Sequence, residues 1–494
     1  MKGKKLISGG VTLAIFSLIA KGLGALYRIP LTNVLGAEGL GAYQMAYPVF
    51  ALVIAATSSA IPVLVARTLP SIENGEVRIS FFNSTLKYAL IVGLAFGVVL
   101  AASGRLLAEL QGSENAVYGY YVLSPAVVFV ALLSAYRGWF NSRLETMVTS
   151  ISGLIEQAVK AVGVLLAYIF PSENAGYSLA LALSGVTLSE IVACLFAFFV
   201  YLKRNGLPRS PLKIPVKAVA MGMLPLTVGS LIFPLTTFVD SVMTARLLMF
   251  TGVEQKIAVA EYGILSGSVG TLVNLPVALS VSFAVTALPV IAEYKRKRDI
   301  NGIKSNQTSS VKAVLTLSLP LSLGLVLAAR PIVNVLYSKL SFSQRELAVL
   351  LLRFAAAEAP LAAMLQLFSA YLQAFDKSVK ASSNMLVGAL LKLVANFTAL
   401  FLGVFGIVFA TLLCYAVCLA LDAYAVKKTA GKLKLDGLPR ILFACATSGV
   451  VIYLIVMFIK NNILSTALAV LLGGLVYGII LLLFGAKRPE VKRG

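Results

Sequence analysis

The 494-residue sequence contains no histidine, and only 13% of its residues are charged, compared with about 25% in an average soluble domain. The lack of histidine removes the commonest general base and the commonest metal ligand. The chain also has no GxxxxGK[ST] loop, the motif that binds nucleotide phosphates. We therefore expect neither a histidine metal site nor ATP hydrolysis, and we do not expect an enzyme.

Cysteine is also scarce, with four residues that all lie in apolar segments. Their spacing matches neither a disulfide framework nor a zinc site. Cys414 and Cys418 are one helical turn apart, and we expect both to be buried thiols. No metal or organic cofactor is predicted.

Apolar residues, by contrast, make up 59% of the chain and give a mean hydropathy of +0.92. A membrane-spanning helix needs about 20 mostly apolar residues, and fourteen segments of that length are present. The sequence therefore predicts an all-α polytopic membrane protein with fourteen transmembrane helices. The predicted helices cover 6–32, 42–66, 81–104, 117–139, 146–170, 177–201, 217–249, 262–291, 311–337, 347–374, 381–404, 406–426, 440–459 and 463–485.

Basic residues outnumber acidic ones by 42 to 20, which gives a formal net charge of +22. With a cytoplasmic N-terminus, 29 of the lysines and arginines fall in predicted inner segments and 5 in outer ones. This bias is the positive-inside pattern of membrane proteins, and it predicts that both termini are cytoplasmic. It explains the charge without nucleic acid as a partner. We expect a multi-pass protein of the plasma membrane, surrounded by the lipid bilayer.

Two parts of the sequence match each other at a constant offset of 235 residues. The match covers a stretch of about 30 residues and suggests that one six-helix unit occurs twice. The matched residues are Pro125 with Pro360, Ser134-Ala135-Tyr136 with Ser369-Ala370-Tyr371, Phe140 with Phe375, and Gly153 with Gly388.

Because six is an even number, both copies would cross the membrane in the same sense. This is the parallel repeat of transporters whose two halves move around a central site. We assign an N-lobe (helices 1–6) to residues 1–201, a cytoplasmic linker to 202–216, a C-lobe (helices 7–12) to 217–426, and two further helices with a basic tail to 427–494.

The first predicted helix contains two cations, Lys21 and Arg28, seven residues apart. They project from nearly the same face, roughly 10 Å apart along the helix axis. Gly24 lies between them and would leave room for a ligand. An extended anion such as a pyrophosphate with its first sugar fits this spacing. The alternative is that Arg28 reaches the headgroups and Lys21 pairs with a buried carboxylate.

Other charged residues within predicted helices are candidates for substrate binding. Glu156 and Lys160 form an i,i+4 pair, which either neutralises itself or contacts the substrate. Arg246 and Arg353 lie near predicted outer helix ends, where they can reach either an anionic substrate or the lipid headgroups.

Three carboxylates lie deeper in the predicted helices, at Glu190, Asp240 and Glu358. Each can serve as a counter-ion, as a proton site or as part of a cation site. Asp240 together with Asn396 would offer oxygen ligands to a coupling Na⁺, because hard cations prefer oxygen. We therefore predict Na⁺ or H⁺ coupling as the alternative to purely structural ion pairs.

Two early segments resemble a known family: K-G-L-G-A-L-Y-R-I at 21–29 and G-A-E-G-L-G-A-Y-Q-M-A-Y-P at 36–48. They are similar to the opening of the stage V sporulation protein B branch of the multidrug/oligosaccharidyl-lipid/polysaccharide (MOP) exporter superfamily. R-G-W-F at 137–140 and I-E-Q-A-V-K at 155–160 resemble the same branch.

The resemblance implies a MATE/MurJ-like fold, in which two six-helix lobes surround a central cavity with alternating access. It also implies transport of undecaprenyl-pyrophosphate-linked sugars. The related MurJ-type flippases use cations of the first helix, and Lys21 and Arg28 match those positions.

We therefore expect a monomeric flippase for a polyprenyl-pyrophosphate-linked saccharide, either a lipid II-like cell-wall precursor or a related oligosaccharide, with a role in peptidoglycan synthesis or sporulation. The alternatives are a multidrug or cation antiporter of the same superfamily, an exporter of capsule or exopolysaccharide, and a membrane-embedded sugar polymerase. A cationic drug would favour a cavity rich in carboxylates. A polymerase usually places its catalytic residues on a large outer loop, and this sequence contains none.

Overall fold

The computed structural model describes residues 2–172, 174–206, 214–431 and 437–485. For some helical residues, among them 2–22 and 281–289, it describes the backbone only. Nineteen α-helices and no β-strand occur in these described ranges. The predicted all-α class is therefore confirmed.

The helices group by their contacts into two compact units. Unit 1 comprises Met1–Gly267 and Leu393–Ile407, and unit 2 comprises Ser268–Lys392 and Val408–Gly494. This grouping does not test the predicted lobes, whose boundaries therefore stay a prediction.

Ten helices lie wholly in unit 1, and a short π-helical segment, Ile264–Val269, follows the ninth. They are α1 (Lys2–Thr57), α2 (Ile61–Thr68), α3 (Gly75–Gln111), α4 (Ala116–Leu123), α5 (Ala126–Ser142), α6 (Thr146–Ile169), α7 (Ala175–Asn205), α8 (Val216–Phe250), α9 (Gln255–Gly263) and α16 (Ala399–Leu402).

The other helices lie wholly or mainly in unit 2. They are α10 (Gly270–Arg296), α11 (Ile300–Leu327), α12 (Ala329–Leu336), α13 (Phe342–Ala355), α14 (Glu358–Ala374), α15 (Ser378–Ala395), α17 (Val404–Ala430), α18 (Leu438–Phe458) and α19 (Asn462–Gly485).

Many of these helices are long and apolar enough to cross a membrane. Among the described residues there are ten such helices, or up to twelve if each of two bent pairs forms one span. The predicted fourteen helices are not confirmed by this count. One reason is that most of the first predicted helix, 6–32, lies within residues 2–22, whose side chains are not described. The count therefore begins at Tyr27 and includes Tyr27–Ser71 as a single span.

Helix α1 is continuous in its hydrogen bonding but is broken at Gly36, whose φ of 66° and ψ of −176° are not helical. A positive φ is strained for residues with a Cβ atom and is freely accessible to glycine. The break lies between the first two predicted helices, 6–32 and 42–66. The backbone conformation of Gly36 therefore separates the two helical segments of α1 between the first and second predicted helices.

Small residues bring two pairs of helices into backbone contact in unit 1. A Cβ atom added to Gly163 of α6 would lie 2.6 Å from the Cα of Gly185 on α7. A Cβ atom added to Gly263 of α9 would lie 2.5 Å from the amide nitrogen of Gly41 on α1. Close approach through small residues is the usual way in which membrane helices associate.

The predicted repeat agrees with a recurring bend. Helices α4 and α5 form a pair bent by 43°, and helices α13 and α14 form a pair bent by 42°. Pro125 precedes α5, and Pro360 lies in the first turn of α14. Proline lacks a backbone donor, and its ring crowds the preceding turn of the helix, which explains why both pairs bend next to a proline.

A buried aromatic cluster fixes α5 against α3 and α7. Trp139 of α5 lies 4.7 Å from the ring of Phe82 on α3 and 5.2 Å from that of Tyr201 on α7, measured between centroids. Aromatic pairs at these distances contribute about 0.5–1.5 kcal/mol each beyond their burial. The cluster therefore sets the position of Arg137, which is two residues before Trp139.

Candidate functional site

The cation Arg28 on α1 lies beside three tyrosines. These are Tyr27, Tyr43 and Tyr47, and the guanidinium hydrogen-bonds to the Tyr27 hydroxyl. The rings of Tyr43 and Tyr47 stack with their centroids 5.9 Å apart. The Nε atom of Arg28 and the hydroxyl of Tyr43 are buried without a hydrogen-bond partner. Arg28 therefore keeps donor capacity for a further ligand.

No acidic side chain among the described residues forms an ion pair with Arg28. A cation within the membrane is costly, and most such cations are paired or face a polar cavity. The tyrosine hydroxyls are neutral, so they satisfy hydrogen bonds but leave the positive charge uncompensated. An anionic ligand would supply the missing charge.

Gly24 and Lys21 are the other two residues predicted for this site. No gap remains beside Gly24, because the Oε1 atom of Gln157 on α6 lies 2.9 Å from the place of a Cβ atom on Gly24. The small residue thus serves the packing of α1 against α6, with the amide of Gln157 filling the space. Lys21 belongs to α1, but its side chain lies outside the described residues.

The four charges of α5, α6 and α7 form ion pairs between helices. The Nη2 atom of Arg137 lies 2.6 Å from Oε1 of Glu156, and its Nε donates to Ser152 Oγ at 2.9 Å. The Nζ atom of Lys160 lies 3.5 Å from Oε1 of Glu190, and both of these side chains are buried.

These contacts correct the prediction that Glu156 and Lys160 neutralise each other along one helix. Glu156 of α6 forms its ion pair with Arg137 of α5, and Lys160 of α6 forms its ion pair with Glu190 of α7. The crossing of α6 and α7 at Gly163 and Gly185 brings Lys160 and Glu190 close together. All four charges are balanced within the network. Their proposed contact with substrate stays a prediction.

The predicted partners Asp240 and Asn396 do lie together. The Nδ2 atom of Asn396 donates to Oδ1 of Asp240 at 3.0 Å. Asn396 is fully buried, and its Oδ1 atom has no hydrogen-bond partner. A carboxylate and an unpartnered amide oxygen are ligands that suit a hard monovalent cation. Because Asn396 presents its NH₂ group to Asp240, the observed contact is a hydrogen bond, and Na⁺ binding by this pair stays a prediction.

The remaining candidates occupy helix ends. The exposed Arg246 donates from Nε to the carbonyl of Leu110 at 3.0 Å, and another of its nitrogens donates to the carbonyl of Glu109, so it caps the end of α3. Arg353 is exposed in the last turn of α13. Glu358 begins α14, where the helix dipole favours a negative charge.

Unit 2 contains an apolar groove with a volume of about 500 Å³. Its walls come from α10, α11, α18 and α19, with a smaller contribution from α12. Residues that line it include Leu272, Leu279, Leu321, Leu325, Ile452, Val470 and Gly474. Because almost every lining side chain is apolar, the groove suits a hydrocarbon chain.

Sequence reasoning missed the residues that define these sites. Tyr27, Tyr43 and Tyr47 belong to the quoted segments 21–29 and 36–48, but their hydroxyls gave no signal of proximity to Arg28. Arg137, near the end of the predicted helix 117–139, was not predicted as a site residue, although it pairs with Glu156 on α6. A lone charge at the edge of an apolar run is the signal that could have identified it.

The helices define a multi-pass membrane protein, and the comparisons place it in a class of transporters. A family model described as "Polysaccharide biosynthesis protein" matches residues 6–295. The chain therefore belongs to the polysaccharide biosynthesis protein family, within the MOP superfamily. The resemblance predicted from the segments at 21–29 and 36–48 is confirmed.

Two relatives from Bacillus subtilis (strain 168) show how far the similarity extends. The chain is 24% identical to "Lipid II flippase MurJ" over 458 residues, which cover 86% of this chain and 83% of that protein. It is 23% identical to "Stage V sporulation protein B" over 328 residues, which cover 64% of this chain and 63% of that protein.

Solved structures show the same fold. "Lipid II flippase MurJ, inward closed conformation" aligns with a TM-score of 0.76 at 18% identity and covers 96% of this chain and 98% of that chain. An inward-facing MATE transporter of the MOP superfamily aligns with a TM-score of 0.66 at 17% identity and covers 84% of this chain and 99% of that chain. The fold is thus MurJ- and MATE-like.

Proposed function

We propose that this protein is a flippase that moves a polyprenyl-pyrophosphate-linked saccharide across the bacterial plasma membrane by alternating access. The observation that carries the proposal is the uncompensated charge of Arg28, which is surrounded by tyrosines and has an unpartnered Nε donor. A pyrophosphate would neutralise this charge and accept its hydrogen bonds. Tyrosine hydroxyls can donate to the same phosphate oxygens or to the first sugar.

The groove of unit 2 supports a lipid-linked cargo. Its apolar walls would take up part of an isoprenoid tail, which gains about 0.8 kcal/mol for each CH₂ group removed from water. The charged headgroup would then bind at Arg28, and the apolar tail would bind in the groove. A free polysaccharide has no part that matches the groove.

A multidrug or cation antiporter is the second candidate, because MATE transporters share the fold. A cationic drug would need an unpaired carboxylate. On α6 and α7, Glu156 and Glu190 are already neutralised by Arg137 and Lys160, whereas Arg28 on α1 has no acidic partner among the described residues. The balance of these charges favours an anionic cargo at this place. The related proteins are flippases and transporters, and we therefore propose no enzymatic reaction for this chain.

The coupling ion proposed for the cycle is Na⁺ at Asp240 and Asn396. The carboxylate of Asp240 would provide one ligand, and the amide of Asn396, which donates to Asp240 in this structure, would rotate to present its unpartnered Oδ1 atom as a second. Water or backbone carbonyls would complete the shell. The proposed orientation keeps both termini in the cytoplasm, as the positive-inside bias predicts.

The test uses the purified full-length protein in proteoliposomes with a fluorescent undecaprenyl-pyrophosphate disaccharide. We expect Arg28→Ala to lower the flipping rate by about tenfold or more, because losing a hydrogen bond to a charged group costs about 1.5–3 kcal/mol. We expect Lys21→Ala to have a similar effect. The matched control is Arg105→Ala, which removes an exposed cation of α3.

Complementation of a flippase-depleted strain gives a second readout. Loss of growth with Arg28→Ala at unchanged expression would support the anionic site. Normal flipping and growth with both Arg28→Ala and Lys21→Ala would overturn it. Faster export of a cationic dye than of the lipid-linked sugar would instead favour the antiporter.

A further inference from the structure

Unit 2 contains a buried carboxylate, Asp422 on α17, that the proposed transport mechanism does not use. Its side chain lies among three helices and is only 1% exposed. Ser369 of α14 donates from Oγ to Oδ2 of Asp422 at 2.7 Å. Asn384 of α15 donates from Nδ2 to Oδ1 at 2.7 Å. Asn384 is itself 3% exposed.

Both partners of Asp422 are neutral. In the described part of the chain, no lysine or arginine lies within ion-pair distance of this carboxylate. The positive charge of Lys380 acts on it from beyond that distance, and this lysine is exposed near the start of α15. Burying an ionised carboxylate without a paired cation is among the most costly arrangements in a membrane protein.

The contrast with unit 1 is informative. There, Glu156 and Glu190 are each paired with a buried or half-buried cation. At the offset of 235 residues, the repeat places Leu372 opposite Arg137 and Ala395 opposite Lys160. The second copy therefore has no cation at either position but contains a buried carboxylate. Its buried Lys392 lies on α15, eight residues after Asn384.

We propose that Asp422, together with Ser369 and Asn384, forms a proton-binding site in unit 2. A proton removes the charge that would otherwise be buried without compensation. A serine hydroxyl can donate or accept, so Ser369 fits both states: it donates to the carboxylate, and it accepts from the protonated acid after its hydroxyl rotates. Asn384 donates to the other oxygen in either state.

The surroundings favour a proton over a metal ion. Asn384 presents its NH₂ group to Asp422, which is a donor and not a metal ligand. No group of three or more acidic, cysteine or histidine side chains suited to a metal occurs among the described residues. The titratable groups that act on Asp422 are Lys380 of α15 and the Cys418 thiol one turn earlier on α17, while α14 contributes the neutral Ser369.

Proton binding at Asp422 is independent of the cargo, whereas its use to drive transport rests on the proposed function. Because α14, α15 and α17 each contribute one group, loss or gain of the proton changes the hydrogen bonds that join three helices. Protonation would therefore favour one arrangement of these helices over another. This links proton movement to the transport cycle of unit 2.

The first experiment needs no cargo. Infrared spectra of the purified full-length protein are recorded between pH 5 and pH 9, and we expect a protonated carboxyl C=O band at neutral pH that disappears in Asp422→Asn. The control is Asp376→Asn, because the Asp376 side chain is 89% exposed and forms an ion pair with Lys295 at the surface. A band that Asp422→Asn leaves unchanged would overturn the proposal. So would a carboxylate band that shifts in the wild-type protein when Na⁺ replaces choline and does not shift in Asp422→Asn.

If Asp422→Asn does not fold, Ser369→Ala retains the test. It removes one hydrogen-bond partner and leaves Asp422 in place, so the C=O band should shift in frequency and persist. No shift in Ser369→Ala would contradict the assignment of the band to this site.

The second experiment measures coupling in proteoliposomes that contain the fluorescent lipid-linked sugar. We expect an imposed pH gradient to change the flipping rate of the wild-type protein and of Asp376→Asn at least threefold, and to leave the rate of Asp422→Asn unchanged. An equal response in all three proteins would overturn the coupling role. Absence of flipping in every protein, with the infrared band intact, would overturn the proposed function and leave the proton site standing.

Discussion

At the scale of single residues, the environment of each intramembrane charge decides its role. Arg28 has only tyrosines beside it and keeps an unpartnered donor, which suits an anionic ligand. Lys160 and Glu190 neutralise each other in a buried pair with 3.5 Å between Nζ and Oε1. Arg28 and Lys160 are both cations within apolar helices. Their partners, and not their residue types, therefore separate a binding residue from a structural one.

The pair Lys160 and Glu190 leads to a prediction about stability. Lys160→Met should lower the free energy of unfolding by about 3–5 kcal/mol, because it leaves a buried carboxylate without a cation. The double variant Lys160→Met/Glu190→Leu should recover most of this loss, because no uncompensated charge remains. Chemical unfolding in detergent, followed by circular dichroism, measures both.

The control for this comparison is Lys256→Met, which removes an exposed lysine of α9 and should change the free energy of unfolding by less than about 0.5 kcal/mol. If the double variant is as unstable as Lys160→Met, the two residues do not act as a pair, and lost packing explains the effect instead.

At the scale of helices, glycines set the crossings that bring the charges together. Gly163 and Gly185 let the backbones of α6 and α7 touch, and the pair Lys160 and Glu190 lies near this crossing. The contact between Gly263 and Gly41 does the same for α9 and α1. Packing thus depends on residues without side chains, as is common among membrane helices.

We predict that Gly163→Leu destabilises the protein by about 1–3 kcal/mol, since overpacking costs that much in a close-packed interior. A side chain at this position would collide with the backbone of α7, including the carbonyl of Ala182 at 2.5 Å from the added Cβ. Gly153→Leu on the same helix is the matched control, because no atom lies within 4 Å of its Cβ position.

Thermal unfolding in detergent compares the two variants directly. Equal midpoints for Gly163→Leu and Gly153→Leu would show that the crossing is loose. A lower midpoint for Gly163→Leu alone would support backbone contact as the feature that fixes the charge pair.

At the scale of the whole molecule, unit 1 provides polar chemistry and unit 2 provides an apolar groove. This division matches a cargo with a charged headgroup and a hydrocarbon tail. Helices α18 and α19, which lie outside the predicted repeat, contribute much of the groove wall. The two extra helices therefore give the chain a surface that a twelve-helix repeat alone would lack.

A substitution that fills the groove tests its role. Gly474 of α19 lines the groove, and no atom lies within 4 Å of its Cβ position, so Gly474→Phe should occupy the groove without a clash. We expect it to lower flipping of an undecaprenyl-linked sugar at least fivefold and to leave stability unchanged.

The matched control is Gly478→Phe, one turn further along α19, which is equally open but does not line the groove. A short-chain analogue of the cargo gives an internal comparison, because it reaches less of the groove and should be transported by both variants. Equal transport of the long-chain cargo by Gly474→Phe and Gly478→Phe would rule out the groove as a tail site.

Much of the fold follows from the sequence because its causes are local. Runs of about 20 apolar residues predict membrane helices, and the all-α class and the membership in the MOP superfamily are both confirmed. Gly36 lies between two such runs, and the structure breaks α1 there. The matching prolines Pro125 and Pro360 likewise lie at two bends of nearly equal angle.

By itself, then, the sequence determined the membrane class, the family and the presence of charges within helices. Only the tertiary structure decided their partners: Glu156 pairs with Arg137, and not with Lys160, and Gln157 fills the space beside Gly24. It also placed Asp422 between two neutral donors. The physical reason is that helical periodicity specifies the face on which a side chain lies, whereas the crossing of helices distant in sequence determines what that face meets.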